Sequence, residues 1–267
     1  MTNYINMNRL NWNERTAIHA KSDFYNIDDF LAEKSSLSGL DKTELGDVAG
    51  LSMLHLQCHF GKDSLSWARM GAHVLGVDFS ENAIALAKSL NERLGLDARF
   101  LCSDIYDVAK ELQGELFDIV YTSYGVLCWL QDLTRWAELI STSLKPGGTF
   151  YMAELHPLTF MYEVEDNQLK SKYPYFDNKV RRYESSTTYT GDNDKLEHSV
   201  TYQWQHTLGE IVSALAGSGL KLEFLHEFPF TVYNMFPGLM FQDELGRWRM
   251  KENEHLPLLF SVKATKH

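Results

Sequence analysis

In LSMLHLQCHFGKDSLSWARMGAHVLGVDFSENAIALAKSLNERLG (residues 51–95), short apolar runs alternate with amphipathic ones. LSMLHLQC (51–58) predicts a buried strand, and KDSLSWARMG (62–71) a helix closed by Gly71. AHVLGVD (72–78) predicts a second strand. Ser80 is a favourable N-cap for the next helix, whose Ile84, Leu86, Ala87, Leu90 and Leu94 share one face. The alternation continues downstream: ARFLCSD (98–104), LFDIVYTS (116–123) and TFYMAEL (149–155) read as strands three to five. Asp132 opens a helix through DLTRWAELISTSL, which Lys145, Pro146 and the Gly147–Gly148 pair stop. Strands that are apolar throughout and separated by helices imply a parallel sheet covered on both faces, a doubly wound α/β fold.

On either side the texture changes. Residues 1–50 are polar and helical, with DDFLAEKSSL and DKTELGDV offering Asp near a helix start. Residues 157–206 are rich in Tyr, Thr, Asn and Asp; VRRYESSTTYT (180–190) and HSVTYQWQH (198–206) alternate like exposed antiparallel strands around GDND. This stretch is expected to be an insertion over the functional edge of the sheet, either covering a substrate or serving only as a packing flap. Thr207 then caps the helix LGEIVSALAGSG, and KLEFLHEF (221–228) and PLLFSVKA (257–264) are two more strands. The expected organisation is a helical lid region over 1–50 and one domain over 51–267 that carries the inserted segment 157–206.

Composition narrows the function. The 25 Lys and Arg against 36 Asp and Glu leave a formal net charge of −11, which repels phosphate backbones and anionic membranes. Nucleic-acid and membrane partners are therefore not expected, and a small molecule is. No stretch approaches the roughly 20 apolar residues that span a bilayer, and MTNYINMNRLNWNER lacks the apolar core of a secretory signal. Cys58, Cys102 and Cys128 are an odd count in apolar surroundings, as expected of free thiols in the cytoplasm.

Open α/β sheets bind ligands beyond the carboxyl ends of their strands. Those ends carry Gln57, Cys58, His59, Phe60 and Gly61; Asp78 and Phe79; Ser103, Asp104 and Ile105; Ser123 and Tyr124; and Glu154 and His156. The two oxygens of Asp78 match a vicinal diol such as a ribose; its alternative role is a helix cap competing with Ser80. Asp104 can accept from a purine amine while Phe79 and Ile105 flank the ring; its alternative is to cap the turn DIYDVAK. Together these residues describe an adenosine pocket.

The frame Met53-Leu54-His55-Leu56-Gln57-Cys58-His59-Phe60-Gly61, Asp78 seventeen residues on, Asp104, FDIVYTSYGVLCWL and LKPGGTFYMAE (144–154) resemble the class I S-adenosylmethionine-dependent methyltransferases. The likeness covers about residues 48–155. The family's first loop normally reads acid-hydrophobic-Gly-Cys-Gly-x-Gly, so His55 stands for the acid and Gln57 and His59 for two glycines; a bacterial subgroup carries much this variant. The resemblance implies a Rossmann-like sheet of seven strands with an antiparallel last strand, 221–228 and 257–264 forming the closing hairpin, and S-adenosyl-L-methionine as cofactor. Only Gly61 remains of the Gly-x-Gly-x-x-Gly that a nicotinamide dehydrogenase needs. There is no phosphate-cradling Gly-Lys-Ser/Thr loop, no second Cys/His pair at zinc spacing and no Gly-x-Ser-x-Gly elbow, so no metal is expected.

Methyl transfer needs alignment and water exclusion first, and a base only where the acceptor must shed a proton. His156 and Glu154 are the candidate base and orienter, a structural histidine before proline being the alternative. Tyr124 and Trp129 offer π faces to a sulfonium or a cationic substrate, or pack the core. Tyr4, Trp12, Arg15 and His19 are candidate lid residues, with Arg15 placed to pair with the methionyl carboxylate, or they form a solvated helix start. The implied activity is methyl transfer to an unidentified small molecule; transfer of another group of the cofactor, or binding without catalysis, stays open.

Overall fold

The computed structural model describes residues 4–177, 179–191 and 194–267, so Asp192 and Asn193 of the GDND turn lie outside the described residues. Three helices precede the sheet: α1 (Tyr4–His19), α2 (Ile27–Leu31) and α3 (Gly39–Leu45). The alternating unit follows as β1 (Ser52–Leu56), α4 (Lys62–Arg69), β2 (His73–Asp78), α5 (Glu81–Leu94), β3 (Arg99–Cys102), α6 (Val108–Leu112), β4 (Phe117–Ser123), α7 (Leu133–Ser143) and β5 (Leu144–Leu155). The anticipated caps hold: Ser80 accepts from the Ala83 amide and Asp132 from the Arg135 amide. After β5 come the short strands β6 (Tyr162–Glu165), β7 (Gln168–Ser171), β8 (Arg181–Glu184) and β9 (Val200–Gln203), then α8 (Leu208–Gly217), β10 (Leu220–Phe228), β11 (Met240–Gln242), β12 (Trp248–Met250) and β13 (Leu259–Lys266).

Seven strands make one sheet in the order β10-β13-β5-β4-β1-β2-β3. The pairs among β1 to β5 are parallel, while β13 runs antiparallel to both β5 and β10. Alternate residues of one strand serve opposite faces. Met53 packs with Trp67, Ile84 and Ala87 under α4 and α5, whereas Leu54 and Leu56 pack with Trp136, Ile140 and Leu215 under α7 and α8. Each such fully buried side chain contributes about 1.5–3 kcal/mol of transfer free energy.

Three departures from the sequence reading follow from local chemistry. Strand β5 starts at Leu144, before the Pro-Gly-Gly break: Leu144 pairs with Phe117, Thr149 with Ile119, and the residues between bulge out. Gly148 permits this, because a Cβ there would lie 2.9 Å from the Lys145 carbonyl oxygen. The β8–β9 pair matches the alternation seen in the sequence, but the β6–β7 hairpin was missed. Its turn residues Asp166 and Asn167 both have left-handed φ (50° and 55°), as a two-residue hairpin loop requires. Finally, β10 does not turn straight into β13: residues 229–256 leave the sheet and form the β11–β12 hairpin before returning.

Helix α1 packs against β9 and the residues just before it. The Asn8 amide donates to the Tyr202 carbonyl (2.7 Å) and accepts from its N–H (2.8 Å), and Asn11 donates to the His198 carbonyl (2.6 Å). On its other side α1 reaches α5, where Asn13 accepts from the Ser80 hydroxyl (2.6 Å) and Arg9 pairs with Glu81 (3.1 Å). No helix among the described residues is long and apolar enough to cross a membrane.

Candidate active site

A cavity of about 1320 Å³ opens beyond the carboxyl ends of β1 to β4, roofed by α1 and by residues of both excursions from the sheet. Single small-molecule pockets usually hold about 300–1,000 Å³, so this one has room for more than one ligand.

Its floor is the loop from β1 to α4. Gln57, His59 and Gly61 all have left-handed φ, at 56°, 51° and 75°. At 57 and 59 the resembled family uses glycine, and here the same backbone shape is held by larger residues, at about 1–2 kcal/mol per non-glycine residue. Compensation is visible. The Gln57 amide donates to the Val126 carbonyl (3.1 Å), and the His59 N–H donates to Asp78 (2.8 Å). Gly61 tolerates no side chain: its Cβ would lie 2.6 Å from a ring carbon of the buried Phe100. Gly61→Ala is therefore expected to cost about 3 kcal/mol in chemical denaturation, combining left-handed strain with overpacking.

His55, in the place of the family's acid, is buried and bonded through Nδ1 to the Ser64 hydroxyl (2.7 Å). Burial lowers its pKa to about 3, so it is a neutral link between β1 and α4.

Asp78 is not the cap of α5; Ser80 fills that role. The Asp78 carboxylate accepts from the Ser80 N–H (2.9 Å) and the His59 N–H (2.8 Å), and the residue lines the cavity. Burial raises its pKa to about 6 against the lowering effect of these amides. Asp104 caps its turn, accepting from the Tyr106 N–H (2.8 Å), and it lines the cavity, as Ser103, Ile105 and Phe79 do. Cys58, Phe60, Ser123 and Tyr124 line it too.

Two acids were missed. Asp63, in the first turn of α4, lines the cavity and accepts from Ser36 (2.6 Å) and Ser123 (3.2 Å). Behind it Asp41 accepts from the Ser38 hydroxyl (2.6 Å) and from Tyr124 (2.9 Å), and burial lifts its pKa to about 7. Acids at helix starts read as caps, and Asp41 does complete a capping box with Ser38.

Of the lid candidates, Trp12, Arg15 and Trp129 line the cavity, with the Trp12 and Trp129 rings 5.4 Å apart and nearly perpendicular. Tyr4 lies outside the wall, against Tyr202 and Trp204. His19 sits behind the wall, bonded to Thr188 (2.6 Å). The pairing of Glu154 with His156 is corrected. Glu154 is 2% exposed and accepts from the N–H groups of Gly125, Val126 (2.7 Å) and Leu127 (3.1 Å), holding the turn after β4. His156 turns away to Glu227 on β10 (2.9 Å) and accepts from the Leu158 N–H through Nδ1 (3.1 Å). Neither lines the cavity. Among the described residues no cluster of three or more His, Cys, Asp or Glu is placed to hold a metal.

This seven-stranded Rossmann-like fold is the one seen in solved methyltransferases. Residues 54–152, from β1 to within β5, match the family described as "Methyltransferase domain". Over 109 residues the chain is 33% identical to the ubiquinone biosynthesis O-methyltransferase of Coxiella burnetii, covering 41% of this chain and 45% of that protein. Over 129 residues it is 26% identical to phosphoethanolamine N-methyltransferase 1 of Triticum aestivum, covering 45% of this chain and 26% of that protein. The chain thus matches less than half the length of these curated relatives. Among solved structures, an S-adenosylmethionine dependent methyltransferase of Mesorhizobium loti superposes with a TM-score of 0.58 at 22% identity, over 84% of this chain and 95% of that one. One from Methanosarcina mazei gives 0.55 at 18% identity, over 86% and 98%. These two likenesses are of fold.

Proposed function

We propose that the protein is an S-adenosylmethionine-dependent methyltransferase acting on a small molecule. The observation that carries this reading is the buried Asp78 carboxylate, braced by backbone amides and lining a cavity whose wall also includes Asp104, Phe79 and Ile105. A ribose diol and a purine amine complete those two acids. In the same wall Gln57 Oε1, His59 Nε2 and His55 Nε2 are buried with no hydrogen-bond partner among the described residues. When bound, the cofactor supplies a methyl group on a positively charged sulfur.

The chain's own residues then have these tasks. Asp78 holds the ribose, and Asp104, Phe79 and Ile105 hold the adenine. Asp63, kept in place by Ser36 and Ser123, faces the amino-acid end. Helix α1 acts as a lid and residues 157–206 as a cover, excluding water while cofactor and acceptor are aligned; such alignment is worth about 7–11 kcal/mol of barrier. The two relatives, an O-methyltransferase of ubiquinone biosynthesis and a phosphoethanolamine N-methyltransferase, support a small-molecule acceptor. The net charge of −11 disfavours nucleic acid. The three cysteines are free thiols, which supports a reducing, cytoplasmic setting.

Calorimetric titration with S-adenosylmethionine and S-adenosylhomocysteine is expected to give micromolar binding of both, and absence of binding overturns the reading. Affinity is expected to hold above pH 6 and to decline as pH falls through about 6, because protonating Asp78 removes the charge that accepts from the hydroxyls. A flat profile between pH 5 and 8 would mean that Asp78 does not bear the ligand.

A further inference from the structure

Beyond the adenosine end, the cavity becomes an aromatic chamber. Trp12 of α1, Tyr25, Trp129, Tyr189, Tyr233 and Trp248 line it from separate parts of the chain. Of the cations in this wall, Lys62 donates to the Tyr25 carbonyl and Arg247 pairs with Asp243, whereas Arg15 stands among the rings. The Arg15 guanidinium carbon lies 5.1 Å from the Trp12 ring centre and 5.9 Å from that of Trp129, and the Arg15 Nε is buried without a hydrogen-bond partner among the described residues. Among the described residues no carboxylate lies within ion-pair distance of it. Arg181 and Arg247, in contrast, each hold an aspartate, Asp177 and Asp243. Burial lowers the Arg15 pKa, the mark of a charge taken from water without an anion to replace it. Two indole faces compensate only part of that loss.

The charge decides between acceptor classes. A ring-lined chamber alone suits a cationic amine as well as a planar ring. A buried guanidinium repels the amine and offers a planar fork of donors to a carboxylate. We infer that the methyl acceptor is an aromatic carboxylic acid, its ring among Trp12, Trp129, Tyr189 and Tyr233 and its carboxylate on Arg15. This rests on the methyltransferase reading. The cofactor carries a carboxylate of its own, so the test must separate the two sources.

The full chain, saturated with S-adenosylhomocysteine, is titrated with acids and their uncharged amides: salicylate against salicylamide, gallate against gallamide, cinnamate against cinnamamide. At least one acid is expected to bind about 10- to 100-fold more tightly than its amide, the range for a charge-assisted pair. Arg15→Met is expected to erase that preference and Arg15→Lys to keep part of it, with S-adenosylhomocysteine affinity within about twofold of wild type in both. Equal binding of acid and amide in every pair, or binding of neither, overturns the inference. So does a loss of S-adenosylhomocysteine affinity in Arg15→Met with methylthioadenosine unaffected, which would assign Arg15 to the cofactor carboxylate. The thermal melt of ligand-free Arg15→Met is expected to match or exceed that of wild type, since a charge without a partner is removed; a clear fall in Tm would make Arg15 a structural residue and overturn the inference. Failure of wild type to bind S-adenosylhomocysteine at all defeats the functional reading on which the inference rests.

Discussion

Asp78→Ala is expected to weaken S-adenosylhomocysteine binding by about 100-fold or more. Hydrogen bonds to a charged acceptor are worth about 1.5–3 kcal/mol each, and a ribose offers two. The loss has a second source. The His59 N–H and the Ser80 N–H both end on this carboxylate, so its removal orphans two donors and frees the left-handed loop at His59. Asp78→Asn separates the two contributions: it keeps the shape and one acceptor oxygen, and is expected to lose about tenfold. Calorimetry reads the affinities, and circular dichroism melts verify that each variant is folded. Affinity unchanged in both variants would remove Asp78 from the binding site.

Glu154→Ala is expected to lower stability by about 3 kcal/mol, because three backbone donors at Gly125, Val126 and Leu127 lose their acceptor in a buried turn, at about 1–3 kcal/mol each before relaxation. For a chain of this size that is a fall in Tm of roughly 6–12 °C. Glu154→Gln is expected to rescue little, since one of its two terminal atoms is a donor facing donors. A residue serving as base or orienter would behave in the opposite way, with turnover lost and the melt unchanged. The comparison of Tm with cofactor binding therefore tests the structural role directly.

The misplacement of Glu154 and His156 shows what a strand pattern can and cannot tell. Residues two apart on a strand share a face, but which neighbour they meet depends on the sheet order. Glu154 meets the turn after β4 because β4 is its parallel neighbour, and His156, beyond the strand, meets Glu227 on β10. In contrast, the five parallel strands between Ser52 and Leu155 were legible apart from the early start of β5 and the short helix α6, because strands buried on both faces are continuous apolar runs and because Ser80 and Asp132 cap their helices as their side chains suggest. That the residues proposed for the adenosine end line one cavity was legible for a related reason: they lie at strand ends that the alternation fixes. The chamber beyond it was not. Tyr233 and Trp248 reach it from residues 229–256, whose strands are three residues long and carry no sustained period, and Tyr189 reaches it from the insertion.

The β1–α4 loop separates two things that glycine normally combines, a bare backbone and a positive φ. Gln57 and His59 keep the second without the first, and each projects an amide or imidazole into the wall where a glycine leaves only N–H and carbonyl groups. If the proposed cofactor lies against this loop, its affinity acquires two adjustable contacts. Exchanges among polar residues at 57 and 59 can retune it while the sheet and its packing stay as they are.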